Sequence, residues 1–262
     1  MAAAADRHDL YQRAVQDVEA EIDFVLETWG ELRARAAITL REDFCGTANT
    51  SCEWVRRDPA HRAFAIDLDA AVLEWGQAHN VAALDADQRA RIELVHGDVL
   101  DPPAREADIV VAMNFSYFLF RTRAQLGAYF RRARSALAED GILFLDAYGG
   151  YDAPREIEER RDCDGFSYVW DQVSFNPIDS CMRCEIHFEF PDGSRLPGAF
   201  RYHWRLWTLP EIRELLLEAG FQSADVYWEG TDPETNEGDG IYTRSEVGDA
   251  DPGWICYVVA CS

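Results

Sequence analysis

The chain has 262 residues, of which 48% are apolar, and this is enough for one large domain with its own core. Its 48 acidic and 25 basic residues give a net charge of −23 at pH 7, and every basic residue is an arginine. A charge of this sign and size repels polyanions, so we predict that neither nucleic acid nor an anionic membrane is a partner.

The first 36 residues predict a helical segment that precedes the main domain. Apolar residues recur there at intervals of three and four, which gives a helix one apolar face. The residues of this face are Tyr11, Val15, Val18, Ile22, Val25, Leu26 and Trp29.

A strand and turn over residues 40–48 carry the most informative pattern. The turn reads Cys-Gly-Thr-Ala at 45–48, and its glycine would let a ligand approach the backbone closely. About twenty residues later a second strand ends at Asp67, where a carboxylate can accept hydrogen bonds from both hydroxyls of a ribose. The pattern predicts a nucleotide-binding turn. An ordinary strand-to-helix connection of an α/β protein is the alternative interpretation.

Three more strands and a helix follow in alternation. Residues 92–100 form an apolar strand that closes on Gly97 and Asp98, and residues 107–118 form a buried strand that runs into a polar and aromatic loop. A helix over 124–137 and a fifth strand over 142–146 complete this part. Strands that alternate with helices predict a parallel sheet with right-handed crossovers.

At these residues the chain resembles the class I S-adenosylmethionine-dependent methyltransferases. The first motif of that family reads acidic-x-Gly-x-Gly-x-Gly. Glu42 matches its acidic position, while Phe44, Gly46 and Ala48 stand at its three glycine positions. Only the middle glycine is kept, so Phe44 marks the place where we expect an altered pocket. The resemblance is specific over residues 37–148.

The resemblance implies both a fold and a cofactor. The fold is α/β, with a seven-stranded, mostly parallel Rossmann-like sheet whose last strand is antiparallel, helices on both faces and an antiparallel β insertion after strand 5. Residues 1–36 become a helical lid over the cofactor, and residues 37–150 the core that binds S-adenosylmethionine, with no metal. Asp67 would bind the ribose and Asp98 the exocyclic amine of adenine. The implied cofactor-binding residues are Tyr11, Arg41, Glu42, Gly46, Thr47, Ala48, Asp67, Leu68, Asp98, Val99, Asn114 and Ser116.

The alternation of strand and helix stops after residue 150. Extended segments at 166–170, 181–190 and 198–207, joined by turns at 176–177 and 191–193, predict an antiparallel insertion over residues 151–207. By the resemblance, an insertion at this place roofs the methyl-acceptor site. Residues 208–262 predict a helix that starts at the N-cap candidate Thr208, and then the last two strands. The acidic segment 229–240 between those strands is expected to be a solvated loop.

The expected activity is methyl transfer to a small molecule by direct in-line displacement, with nitrogen preferred over oxygen and sulfur. Candidate catalytic residues are Asn114, Tyr117 and His203. The first two belong to a loop that is similar to the Asn-Pro-Pro-Tyr loop of amino methyltransferases, although both prolines are missing, and His203 is a base candidate in the insertion. Two alternatives remain, a protein methyltransferase and a non-methylating S-adenosylmethionine-binding protein. We expect a monomer or a homodimer.

The cysteines and the amino terminus indicate a cytoplasmic protein. The seven cysteines are odd in number and include one Cys-x-x-Cys pair, Cys181 and Cys184, within a predicted strand. No second pair stands at zinc spacing, so we predict structural thiols and neither a disulfide framework nor a metal. Residues 1–8 lack the apolar segment of a signal peptide, and no apolar run approaches the length of a membrane span.

Overall fold

The computed structural model describes residues 1–102, 105–235 and 237–262, and these residues form two β-sheets with helices packed on them. The helices are α1 (Arg7–Val15), α2 (Val18–Leu32), α3 (Asn49–Arg57), α4 (Ala70–Gly76), α5 (Ala86–Arg89), α6 (Arg123–Ala136) and α7 (Leu209–Glu218). The strands are β1 (Thr39–Asp43), β2 (Arg62–Asp67), β3 (Ile92–His96), β4 (Ala107–Ala112), β5 (Leu137–Gly149), β6 (Ile157–Cys163), β7 (Phe166–Asn176), β8 (Cys181–Glu189), β9 (Arg195–Arg205), β10 (Ser223–Thr231), β11 (Gly238–Arg244) and β12 (Trp254–Cys261).

The main sheet confirms the predicted fold class. Its order is β11-β10-β12-β5-β4-β1-β2-β3. Strand β1 runs parallel to β2 and β4, and β4 runs parallel to β5. The last strand, β12, lies antiparallel between β5 and β10, as expected. The carboxyl ends of β1 to β4 therefore meet at one edge of the sheet, where α/β proteins bind ligands.

The predicted count of seven strands was wrong, because eight strands of the main sheet lie within the described residues. The additional strand is β11, which pairs with β10 as a hairpin where a solvated loop was expected. The acidic composition of segment 229–240 concealed the β-forming residues that follow it, and Tyr242 anchors the strand by packing 4.6 Å from the Tyr257 ring. Asn236 of that segment lies outside the described residues.

The second sheet is the antiparallel insertion after β5, with the order β6-β7-β8-β9. Three of its strands agree with the predicted extended segments. The fourth, β6, was not expected, because its sequence consists largely of exposed charged residues with no apolar alternation. Charged side chains are typical of an edge strand, where they discourage pairing with another chain.

The amino-terminal apolar stripe is divided between two helices. Asp17 ends the first helical segment and caps α2 by accepting a hydrogen bond from the backbone amide of Ala20. Leu10 and Ala14 of α1 pack on the second sheet, whereas α2 packs on the main sheet. Because the helix is interrupted at residues 16–17, the two halves of one apolar pattern pack into two different hydrophobic clusters.

The main sheet is covered on both faces. Leu143 and Leu145 of β5 face a cluster that includes α6 and α7, while Ile142 and Phe144 face a cluster that includes α2 and α3. Alternation of this kind places successive side chains of a strand on opposite faces. None of the helices in the described part of the chain combines the length and apolar character needed to cross a lipid bilayer.

Candidate functional site

A cavity of about 780 Å³ lies at the carboxyl edge of the main sheet. One side is formed by the turn after β1 and by the ends of β2, β3 and β4. The other side is formed by α1 and by residues 198–204 of β9. The volume is in the range of small-molecule and cofactor sites.

Most residues predicted for the site line this cavity. They come from separate segments of the chain that the parallel sheet brings to one edge. The predicted residues that line the cavity are Tyr11, Gly46, Thr47, Asp67, Leu68, Asp98, Val99, Asn114, Ser116 and His203. Arg41, Glu42, Ala48 and Tyr117 are not among the described residues that line it.

The turn after β1 has the same backbone conformation at each of the three glycine positions of the motif. The φ angles of Phe44, Gly46 and Ala48 are 58°, 53° and 56°, in the left-handed region. For the non-glycine residues Phe44 and Ala48 this conformation costs on the order of 1 kcal/mol each. A Cβ atom added to Gly46 would meet nothing within 4 Å and would project into open space beside the turn. The turn therefore keeps the glycine-type conformation although two glycines are absent.

Phe44 forms part of one wall of the cavity. Its ring lies 5.4 Å from the Tyr129 ring and 6.0 Å from the Phe120 ring. The side chain is held in this aromatic group at the edge of the cavity.

Asp67 links the end of β2 to the turn. One carboxylate oxygen accepts a hydrogen bond from the backbone amide of Gly46 at 2.8 Å, and the other accepts one from the amide of Asp69 at 2.9 Å. A carboxylate has about four lone-pair sites, so acceptor capacity remains for a ligand. The site thus combines a fixed carboxylate with an open turn.

Two more polar side chains on the sheet side of the cavity are also fixed by hydrogen bonds. The Asp98 carboxylate accepts a hydrogen bond from the amide of Leu100 at 2.9 Å, and the Thr47 hydroxyl accepts one from the Gln12 side chain at 2.7 Å. The second bond ties α1 to the turn. Asn114 lines the cavity, and its side-chain amide makes no hydrogen bond within the described residues.

Two predicted cofactor residues have buried partners instead. The Arg41 guanidinium is fully buried and forms an ion pair with Asp43, with 2.6 Å between Nε and Oδ1. The Glu42 carboxylate accepts hydrogen bonds from the backbone amide and the hydroxyl of Ser51, in the first turn of α3. Burial raises the pKa of Glu42 to about 7. Both side chains stabilise the segment that carries the turn.

Two more predicted residues also lie away from the cavity lining. Ala48 is fully buried at the start of α3. Tyr117 is fully buried, and its hydroxyl donates a hydrogen bond to the backbone carbonyl of Asp146 at 2.8 Å. Burial raises the pKa of Tyr117 well above its usual value, so its hydroxyl stays protonated.

The position of Tyr117 makes a testable prediction. We expect Tyr117→Phe to keep kcat within about threefold and to lower the free energy of unfolding by about 1 kcal/mol, because one hydrogen bond to the backbone is lost. Steady-state methyl transfer and urea unfolding measure the two effects. A loss of about 100-fold in kcat without loss of stability would instead assign the hydroxyl to catalysis.

His203 lies at the mouth of the cavity. Its ring is exposed, and Nη1 of Arg121 donates to the imidazole at 3.0 Å from Nε2. His203 is therefore placed to contact a ligand at the entrance and not in the interior.

Aromatic rings form the wall opposite the sheet. The rings of Tyr202 and Trp204 stack with 4.3 Å between their centroids, and the Tyr11 ring lies 4.8 Å from Phe200. Both Tyr11 and Tyr202 pack against the apolar cluster of the second sheet. The sequence analysis missed Phe200, although its alternation with Tyr202 and Trp204 predicts that all three share one face of β9.

Two further lining residues, Arg7 and His8, were also missed. Both lie in α1 ahead of the apolar stripe, and no motif marks them. The His8 ring packs between Trp75 and Phe200, at 5.3 and 5.8 Å. Burial and the charge of Arg7 lower the pKa of His8.

A histidine and two carboxylates meet outside the cavity, on the second sheet. The ligand atoms of Glu158, Asp171 and His187 lie within 4.8 Å of one another. However, the backbone amide of Gly198 donates to Nδ1 of His187 at 2.6 Å, which assigns the ring proton to Nε2. Nε2 lies 3.3 Å from Asp171 and has no lone pair for a cation in this tautomer. Gly198, His187 and Asp171 thus form a structural hydrogen-bond chain, and the Glu158 carboxylate pairs with Arg195.

The fold and the cavity together define a class of protein. A left-handed turn after β1 and carboxylates at the ends of the next two strands are typical of Rossmann-like proteins that bind a nucleoside-containing cofactor. Residues 44–141 match the family model described as a methyltransferase domain. By sequence, this part of the chain is therefore a methyltransferase domain, and the fold around it is the Rossmann-like one.

Solved structures share this architecture over nearly the whole chain. An S-adenosylmethionine-dependent methyltransferase from Clostridium acetobutylicum is 19% identical, with a TM-score of 0.69 over 97% of this chain and 96% of that one. The sugar N-methyltransferase KedS8 from Streptoalloteichus is 18% identical, with a TM-score of 0.66 over 98% and 92%. CalS10 from Micromonospora echinaspora, an amino pentose methyltransferase, is 16% identical, with a TM-score of 0.67 over 97% and 95%. No curated protein sequence matches the chain.

Proposed function

We propose that this enzyme transfers the methyl group of S-adenosylmethionine to a nitrogen atom of a small molecule. The observation that carries the proposal is the two-sided cavity. Its sheet side offers the open turn and the carboxylates of Asp67 and Asp98, and its other side is covered by α1 and the aromatic face of β9. A cavity of this volume between two covered sides suits a small acceptor better than a protein chain.

The sheet side fits the cofactor. Gly46 leaves space that a Cβ would fill, Asp67 keeps acceptor capacity for two ribose hydroxyls, and Asp98 can accept from the adenine amine. Thr47, Leu68, Val99 and Ser116 complete the surface around these groups. When bound, S-adenosylmethionine supplies an activated methyl group, so the protein mainly has to orient the acceptor.

The acceptor side favours an amine. The acceptor side consists of the cavity residues from α1 and β9. Among those that the structure describes, the ionisable groups are the imidazoles of His8 and His203, two arginines and two tyrosines, and none is a carboxylate. A hydroxyl acceptor needs a strong base, whereas an amine that enters neutral does not. The unpartnered Asn114 amide oxygen can accept a hydrogen bond from such an amine. KedS8 and CalS10, whose names specify a sugar nitrogen and an amino pentose, support this preference.

The alternatives make different predictions in one assay. Purified enzyme is incubated with S-adenosylmethionine and panels of amino sugars, other amines, phenols and thiols, and methylated products are identified by mass spectrometry. We expect turnover with amines, and faster transfer to phenols or thiols would contradict the proposal. Cofactor binding without turnover would favour a non-methylating S-adenosylmethionine-binding protein. Turnover that occurs only with basic peptides, tested in a separate panel, would favour a protein methyltransferase. The cytoplasmic location and the monomeric or homodimeric state stay predictions.

Truncation of the aromatic wall tests the division of the cavity. We expect Phe200→Ala to raise the KM for the acceptor at least tenfold while the Kd for S-adenosylmethionine stays within about threefold, because the ring lies on the acceptor side. Phe190→Ala is the matched control, since Phe190 is also half-buried in the apolar cluster of the second sheet but does not line the cavity. Equal effects of the two variants on KM would contradict the assignment.

A further inference from the structure

The loop after β4 contains two consecutive strained residues. The φ angles of Asn114 and Phe115 are 60° and 55°, which non-glycine residues adopt at a cost in free energy. Such a pair persists only where surrounding groups hold it. Asn114 lines the cavity directly after this strand, so whatever holds the pair also determines where the Asn114 side chain points.

Asp146 of β5 is the group that holds it. Its buried carboxylate receives one hydrogen bond on each oxygen, from the amide of Asn114 at 2.6 Å and from the amide of Phe115 at 2.8 Å. The Phe115 ring is fixed on the other side by Tyr148, 4.8 Å away, and by Trp204, 6.3 Å away. Both backbone amides of the pair therefore point into the protein, towards β5.

We propose that Asp146 is a positioning residue for the methyl acceptor. By holding both amides it keeps the pair in the left-handed conformation and directs the unpartnered Asn114 amide into the cavity. Asp146 acts through Asn114 and does not itself line the cavity. This inference rests on the proposed function in one respect, because it takes the molecule that contacts Asn114 to be the methyl acceptor.

The chain provides a matched control at the opposite end of the sheet. Asp108 of β4 has the same exposed fraction as Asp146, 8%. Its Oδ2 accepts two backbone amide bonds, from Ile38 at 2.7 Å and Thr39 at 2.9 Å, and its Oδ1 forms an ion pair with Arg35. It lies away from the cavity lining. Replacing either aspartate by asparagine exchanges one acceptor oxygen for a donor in nearly the same volume.

The first experiment compares Asp146→Asn with Asp108→Asn. For the best acceptor of the wild-type enzyme, whatever its class, we expect Asp146→Asn to raise KM or lower kcat so that kcat/KM falls at least 30-fold. The Kd for S-adenosylmethionine, measured by calorimetry, should stay within threefold. Asp108→Asn should keep kcat/KM within threefold. Similar losses of kcat/KM in both variants would mean a general effect on folding and would overturn the proposal.

Two further measurements separate this proposal from the proposed function. Hydrogen exchange of the Asn114 and Phe115 amides should accelerate at least tenfold in Asp146→Asn but not in Asp108→Asn, whatever the acceptor. Asn114→Ala should lower kcat/KM, and Asp146→Asn added to it should cause no more than a threefold further loss. Additive losses would overturn the proposal. If Asp146→Asn does not fold, Asp146→Glu keeps the charge, shifts the oxygens by one methylene and is expected to give the same results.

Discussion

Asp67→Ala is expected to weaken S-adenosylmethionine binding by about 100-fold, which corresponds to roughly 3 kcal/mol. The substitution removes the acceptors that we assign to the ribose hydroxyls, and it also removes the acceptor for the backbone amide of Gly46. The turn is then free to move away from the geometry that binds the cofactor. Isothermal titration calorimetry with S-adenosylmethionine and with its product S-adenosylhomocysteine measures the loss.

A control variant shows whether the loss of affinity in Asp67→Ala comes from a lost cofactor contact or from a less stable protein. Asp108→Ala removes another carboxylate that accepts two backbone amides, but this one is buried and lies at the other end of the sheet. It should reduce the melting temperature and leave the cofactor affinity within about threefold. If Asp67→Ala bound S-adenosylmethionine as tightly as the wild type does, the assignment of Asp67 to the ribose would be wrong.

The elements that a sequence can predict are those with local signals. The helix α7 begins at Thr208, where the side chain accepts from the amide of Glu211 as the capping pattern predicts. The parallel strands were recognisable as apolar runs between helices. Strand β6 was missed, because an edge strand can consist of charged residues and is defined by its pairing with β7.

For the site as well, only the residues with a local sequence signal were predictable. Residues directly after a strand reach the cavity, and Asp67 and Asp98 follow this rule. Arg41 and Glu42 lie inside β1, where alternation directs their side chains to opposite faces of the sheet and away from its edge. Arg7 and His8 reach the cavity only because α1 packs against the second sheet, and a contact of this range leaves no local pattern.

The altered motif can be explained by its backbone. A glycine pattern is usually interpreted as a requirement for glycine, but the requirement at Phe44 and Ala48 is for a left-handed φ. Aromatic packing of Phe44 and full burial of Ala48 compensate for the cost of that conformation. The resemblance was therefore detectable although two of three glycines are missing.

The region beneath the cavity contains three buried carboxylates. Burial raises the pKa of Glu42 and of Asp146 to about 7, and burial together with the charges of these two raises the pKa of Glu21 to about 8 from its usual 4.5. Among the described residues, the Glu21 side chain has one hydrogen bond, from the Thr50 hydroxyl at 3.4 Å. Its charged form is therefore the least well compensated of the three.

The stability of the protein should fall as the pH rises from about 4.5 to 8. Below pH 4.5 Glu21 is protonated in the folded and unfolded chains, so it does not affect folding. Between these values the unfolded chain loses the proton and the folded chain keeps it, which favours unfolding, and near pH 8 the effect is complete. Glu21→Gln removes this effect and is expected to stabilise the protein at pH 8 by about 3 kcal/mol, or roughly 10 °C in Tm.

Thermal unfolding of both proteins from pH 5 to pH 8.5 measures this difference. The gain from Glu21→Gln should be small at pH 5 and grow with pH, because the wild-type chain alone becomes less stable as Glu21 of its unfolded state ionises. Glu19→Gln is the matched control, since Glu19 lies in the same first turn of α2 but is exposed. Glu19→Gln should show no gain that grows with pH, because its side chain is not buried. A difference between Glu21→Gln and the wild type that did not change with pH would show that Glu21 is ionised in the folded protein.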